Sequence, residues 1–183
     1  MTRRTLAAAT AALLMTSALG MSACSSELVA QSGSSSAQSA ANLDHERISS
    51  VLETVGGVMA TADASLNAAD LGDQVTKGAL EMRTAQYALA NANGQALPPL
   101  DFEPTSLAIT NSDSWPRAIF NISDTSSTAL PVLEVYVQDS ARSDYKLTNY
   151  ARLLGGTHLT LPSVGTGSAY VTGDSQGFTV TPD

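Results

Sequence analysis

The chain has one thiol, Cys24, two imidazoles, His45 and His158, and carboxylates whose surroundings decide what chemistry they could do. A metal centre would need imidazoles clustered with thiolates or carboxylates. His45 and His158 stand far apart in sequence and read as surface or packing residues. Asp101 and Glu103, two apart beside Pro104, would serve a glycosidase only if burial raised one pKa and the fold fixed their separation. They read as solvated linker charges. The many serines lack a Gly-x-Ser-x-Gly elbow, and Gly165-Thr166-Gly167 lacks the lysine and strand–loop–helix setting of a phosphate loop. No catalytic residue, cofactor or metal is expected.

A second set of groups lies on expected strands. Val132, Glu134, Tyr136 and Gln138 alternate onto one face, with Leu133, Val135 and Val137 on the other. On the next strand Lys146, Thr148, Tyr150 and Arg152 would share a face. Were the two faces adjacent, Glu134, Tyr136, Tyr150 and Arg152 would form a candidate binding face. Aromatic rings beside hydrogen-bonding groups suit a sugar or a peptide. The plainer reading is a solvated outer face with cross-strand Glu–Arg pairing. Trp115, the only tryptophan, precedes Pro116 at a strand start and is expected to pack in the core or at the corner. Asn121-Ile122-Ser123 matches a glycosylation acceptor by chance.

The cysteine acquires a role from its position. Arg3 and Arg4 give a positive start, and Thr5 to Leu19 is an uncharged run rich in Ala and Leu. Fifteen helical residues would span about 22 Å, short of the roughly 30 Å of a hydrocarbon core. The run therefore reads as the apolar part of a signal peptide. Met21-Ser22-Ala23-Cys24 resembles the lipobox of bacterial lipoproteins, with Met21 where Leu is usual. The resemblance implies a diacylglyceryl group on the Cys24 sulfur and cleavage after Ala23. Residues 1–23 would be the signal peptide. Two acyl chains, at about 0.8 kcal/mol per buried CH₂, give a stable anchor where one is marginal.

Residues 24–41, rich in Ser, Ala and Gln, bury too little apolar surface to order themselves and read as a flexible tether behind the lipidated cysteine. Beyond Cys24 stand seven basic against 17 acidic side chains, a net charge of −10. Affinity for nucleic acid rests on Lys and Arg neutralising phosphates, so nucleic acid is excluded as a partner. The expected partners are the membrane, through diacylglyceryl-Cys24, and an envelope glycan or another envelope protein.

The positioning elements begin at Asn42. Ile48, Val51, Leu52, Val55, Val58, Met59, Ala62 and Leu66 follow one helix face, with Asn42 and Asp44 as candidate N-caps. Gly56-Gly57 in its middle implies either a bend or a closely packed neighbour. A second helix is expected over 74–92, with Val75, Ala79, Met82 and Leu89 inward and Lys77, Glu81 and Arg83 outward, stopping at Asn93-Gly94. After Pro98-Pro99 the period becomes two. Strands are expected at 105–111, 116–123, 129–138 and 145–154, and more weakly at 169–172 and 177–181. Short links imply antiparallel hairpins.

This is an α+β arrangement, N-terminal helices packed on an antiparallel, hairpin-linked sheet, in one domain over 42–183. Its element order is similar to the NTF2-like and cystatin-like class. The stretch Ala79 to Ala90, the Ser114-Trp115-Pro116-Arg117 corner and the segments Tyr145 to Leu147 and Ala151 to Gly155 resemble an uncharacterised domain of actinobacterial lipoproteins, spanning about residues 45–183. That resemblance carries no catalytic residues. Longer members continue past this point, so the chain is expected to be a fragment, truncated at its C-terminus. The expected function is a non-catalytic, lipid-anchored binding or scaffolding module on the outer side of the cell membrane. The alternative is an enzyme, or the accessory domain of one, acting on envelope glycan.

Overall fold

The computed structural model describes residues 41–123, 130–157 and 159–171. Cys24, His158 and the expected strand at 177–181 lie outside them. Helix α1 (His45–Ser65) starts at Asp44, whose carboxylate accepts from the Arg47 amide at 2.9 Å. Asn42, the other candidate cap, instead donates to Ser112 O and accepts from the Thr110 hydroxyl, pinning the incoming chain to the sheet. The inward stripe of α1 is Ile48, Leu52, Val55, Met59 and Ala62, as the apolar spacing predicts. The glycine pair resolves as a close approach. A Cβ on Gly56 would sit 3.2 Å from three atoms of the Phe102 side chain, while one on Gly57 would meet nothing within 4 Å.

A 3-10 turn (Ala68–Leu71) leads to helix α2 (Lys77–Asn93), which stops where Gly94 takes a left-handed conformation, φ 69°. The inward face of α2 differs from the one that residue type suggests. Ala79, Arg83, Tyr87 and Ala90 are buried, whereas Met82 and Leu89 are 40% and 54% exposed. The helix is turned so that an arginine faces in and two large apolar side chains face out. The cause is a partner for Arg83 on α1, described below.

Four antiparallel strands follow, β1 (Ser106–Ile109), β2 (Arg117–Ser123), β3 (Val132–Gln138) and β4 (Lys146–Arg152), in the spatial order 1-2-3-4. Residues 169–171 form no strand; only Ser168 bridges to Thr110, in parallel. The helices cover one sheet face, and Leu107, Ile109, Ile119, Val132, Tyr136 and Leu147 meet them in a common core. The opposite face carries Phe120, Ile122, Leu133, Val135 and Val137, half-buried or exposed. The molecule is thus an α+β protein with its helices on one side of a hairpin-linked sheet. Among the described residues no helix is long and apolar enough to cross a membrane.

Candidate functional site

The structure brings Glu134, Tyr136 and Tyr150 together, but beneath the helices. Glu134 and Tyr136 are fully buried and Tyr150 nearly so. Two physical facts correct the expected open face. The whole apolar set of β3 that alternation leaves for a core, Leu133, Val135 and Val137, lies on the side away from the helices instead, half-buried. And β4 has an irregular register: Val135 pairs with Asn149 while Tyr136 pairs with Leu147, leaving Thr148 as an extra residue. Leu147, Tyr150 and Arg152 therefore share the inner side, and Lys146 does not join them. Arg152 lies at the inner rim, donating to the carbonyls of Leu130 and Pro99. The expected Glu–Arg pair is not made.

Glu134 is held by other groups. Asn121, its register partner on β2, donates Nδ2 to Oε2 at 3.0 Å, and the Tyr136 hydroxyl donates to the same oxygen at 2.8 Å. Oε1 of Glu134 and Oδ1 of Asn121 are buried without a hydrogen-bond partner. Burial pushes the Glu134 carboxyl up to about 7; the bonds from Asn121 and Tyr136 oppose that, and the charge of Asp101 adds to it. The Tyr136 hydroxyl is raised further, by burial first and then by Glu134. Asn121, the nominal glycosylation acceptor, is fully buried in β2 with Nδ2 engaged by Glu134 and the Glu103 carbonyl.

A second buried polar cluster ties the helices to each other. Arg83 donates Nε to Asp63 Oδ1 at 2.9 Å and Nη2 to Oδ2, a two-bonded fork. Its Nη1 donates to Gln86 Oε1 (2.8 Å) and to the Pro98 carbonyl (3.1 Å). Tyr87 donates to the same Asp63 carboxylate at 2.6 Å, and Tyr150 on β4 reaches Gln86 Oε1 at 3.1 Å. Burial works against the charged guanidinium, but the bond and charge of Asp63 outweigh it and raise the Arg83 pKa. Every group in this cluster is spent on another, which makes it a fastening.

The concave site with unspent groups lies elsewhere. A cleft of about 410 Å³ opens between the flank of α1, Gln74 ahead of α2, and the β3–β4 hairpin. Arg47, Ser50 and Thr54 come from α1, one helical turn apart, with Val51 and Leu43 as an apolar floor. The hairpin contributes Gln138, Ser143, Asp144 and buried Tyr145. Its loop is fixed by the Ser143 hydroxyl, which accepts from the Ser140 amide and donates to the Ser140 carbonyl, and by Gln138, which donates to the Ser143 carbonyl at 2.8 Å. Residue alternation could not have found this site, because its walls are polar flanks of elements distant in sequence. The Arg47–Ser50–Thr54 stripe was its only local trace.

The remaining candidates fall into place as surface features. His45 is exposed in the first turn of α1, and Asp101 and Glu103 form a local turn in which Asp101 accepts from the Glu103 amide. Trp115 is 38% exposed at the corner before β2, with the Arg117 guanidinium 4.3 Å from its ring. Among the described residues no three His, Cys, Asp or Glu side chains are placed to hold a metal ion. No family model, no curated protein and no solved structure matches the chain.

Proposed function

We propose that the chain is a lipid-anchored extracytoplasmic protein whose α+β domain binds or scaffolds a component of the cell envelope without catalysing a reaction. The observation that carries this reading is Cys24. The chain's one cysteine follows a basic start, an apolar run too short to span a bilayer, and two small residues. Diacylation of that sulfur would supply the attachment that the run cannot. The cleft beside α1 supports a binding role, because it gathers polar groups on an apolar floor.

An enzyme acting on envelope glycan would need a proton-donating carboxyl in a concave, accessible place. Glu134 has the raised pKa of such an acid, but it is sealed between sheet and helices. The binding reading is therefore preferred.

The test is made on protein taken from cells. Intact-mass measurement is expected to find the mature chain starting at Cys24 with added diacylglyceryl mass. The Cys24→Ala form is expected to leave the membrane fraction. A mature N-terminus without acyl mass, or a Cys24→Ala form that sediments with membranes as the wild type does, overturns the proposal.

A further inference from the structure

We propose that the cleft walled by α1 and the β3–β4 hairpin is a binding site for a short neutral saccharide. This rests on the extracytoplasmic reading above, which places the cleft among envelope glycans.

The chemistry of the lining selects the ligand by elimination. The cleft's volume of about 410 Å³ falls at the small-molecule end of ligand sites. The side chains of Gln74 and Ser50 and the carboxylate of Asp144 make no hydrogen bond to the described residues and face solvent, so they are free to bond an occupant that replaces their water. An apolar occupant would strip their water and return nothing, at about 1–3 kcal/mol for each group. A phosphate or other polyanion would face Asp144 and the field of a chain carrying net charge −10 beyond Cys24.

A zwitterionic peptide would have to gain its affinity from ion pairs with Arg47 and Asp144, and ion pairs between exposed groups contribute little, whereas Asp144 can still accept a hydrogen bond from a ligand hydroxyl. A polyol matches what remains. Its hydroxyls both donate and accept, as Gln74 and Ser50 require, and can donate to Thr54, whose own proton goes to the Ser50 carbonyl. Its C–H faces can lie on Val51 and Leu43, with the buried Tyr145 behind them. Tyr145 is buried at the base of a hairpin held by the Ser140–Ser143 bonds, so the surface is formed before any ligand arrives.

Saturation-transfer NMR on the full chain, in a detergent without a sugar headgroup, tests the site. The probes are cellobiose, N,N′-diacetylchitobiose and the dipeptide Gly-Leu. At least one disaccharide is expected to bind saturably. Asp144→Ala and Gln74→Ala are each expected to weaken it about tenfold, the equivalent of one lost good contact. Glu81→Ala, on the exposed side of α2, is expected to leave binding unchanged, and circular dichroism reports whether each variant is folded. Saturable disaccharide binding that folded Asp144→Ala and Gln74→Ala weaken supports the proposal. It is overturned if neither disaccharide binds the wild type, if binding survives both substitutions, or if only the dipeptide binds. Because acylation of Cys24 is read separately by mass, failure here leaves the anchoring result standing and the two are told apart.

Discussion

Asn121 on β2 and Glu134 on β3 face each other across the sheet, joined by a 3.0 Å hydrogen bond, and each keeps one buried oxygen with no partner. An unpartnered carboxylate oxygen in a sealed core is most costly when charged. The neutral acid is therefore the form that the fold favours.

That preference makes stability depend on pH with a definite sign. The Glu134 carboxyl rises from 4.5 in the unfolded chain to about 7 in the folded one. Between those values the native state holds one more proton than the unfolded state, so stability falls as pH rises. The slope is about 1.4 kcal/mol per pH unit, and the loss reaches on the order of 3 kcal/mol before levelling above pH 7. Glu134→Gln cannot ionise. It is expected to be more stable than the wild type at pH 8, and to lose that advantage at pH 4.5. Urea unfolding at both pH values checks this, and parallel pH profiles for the two proteins would sink it.

The Asp63–Arg83 pair gives a second prediction. Removing one partner of a buried ion pair strands the other and costs about 3–5 kcal/mol. Arg83 is the deeper of the two, with Asp63 29% exposed, so Asp63→Ala is expected to be the costlier single change. Combining Asp63→Ala with Arg83→Met removes the stranded charge while keeping an unbranched chain in its place. The double variant is expected to be more stable than Asp63→Ala alone, as thermal unfolding would show. A loss under about 1 kcal/mol for Asp63→Ala would mean that the pair does not fasten the helices.

This pair also explains where the sequence misleads. Helix α1 is legible because its inward stripe is apolar throughout, from Ile48 to Ala62. In α2 the types at Met82, Arg83 and Leu89 point the wrong way, since the group that draws Arg83 inward sits 20 residues earlier on another helix. No local period encodes that distance. The strands are legible from alternation, yet alternation does not say which face the helices cover. On β3 the apolar face is the one turned away from the helices, and Glu134 and Tyr136 occupy the core by bonding to each other. On β4 the extra residue at Thr148 shifts the phase, so a straight count assigns Lys146 to the wrong side. The cleft is legible least of all, because it exists only where three separated segments meet.

Two adjacent glycines provide an internal comparison. Replacing a helical glycine by alanine gains about 1 kcal/mol where nothing obstructs the methyl group. At Gly57 the space is open, so Gly57→Ala is expected to stabilise by about that amount. At Gly56 the methyl group would press on the Phe102 side chain at 3.2 Å, and the gain is expected to be smaller or reversed. Denaturant midpoints of the two variants measure the difference. Equal gains would show that Phe102 does not rest on Gly56.

The first residue of α2 offers the last test. Lys77 has φ 51°, in the left-handed region, where a side chain on an L-residue costs roughly 1–2 kcal/mol. Glycine adopts that conformation freely, whereas alanine suffers the same crowding as lysine. Both substitutions remove the same charge from the positive end of the helix, so any difference between them reports the backbone alone. In an ordinary helical position glycine would be the less stable variant by about 1 kcal/mol. Here the order is expected to invert, with Lys77→Gly more stable than Lys77→Ala by roughly 1 kcal/mol in urea unfolding. If alanine is the more stable of the two, the turn that leads from Thr76 into α2 does not hold Lys77 in that conformation.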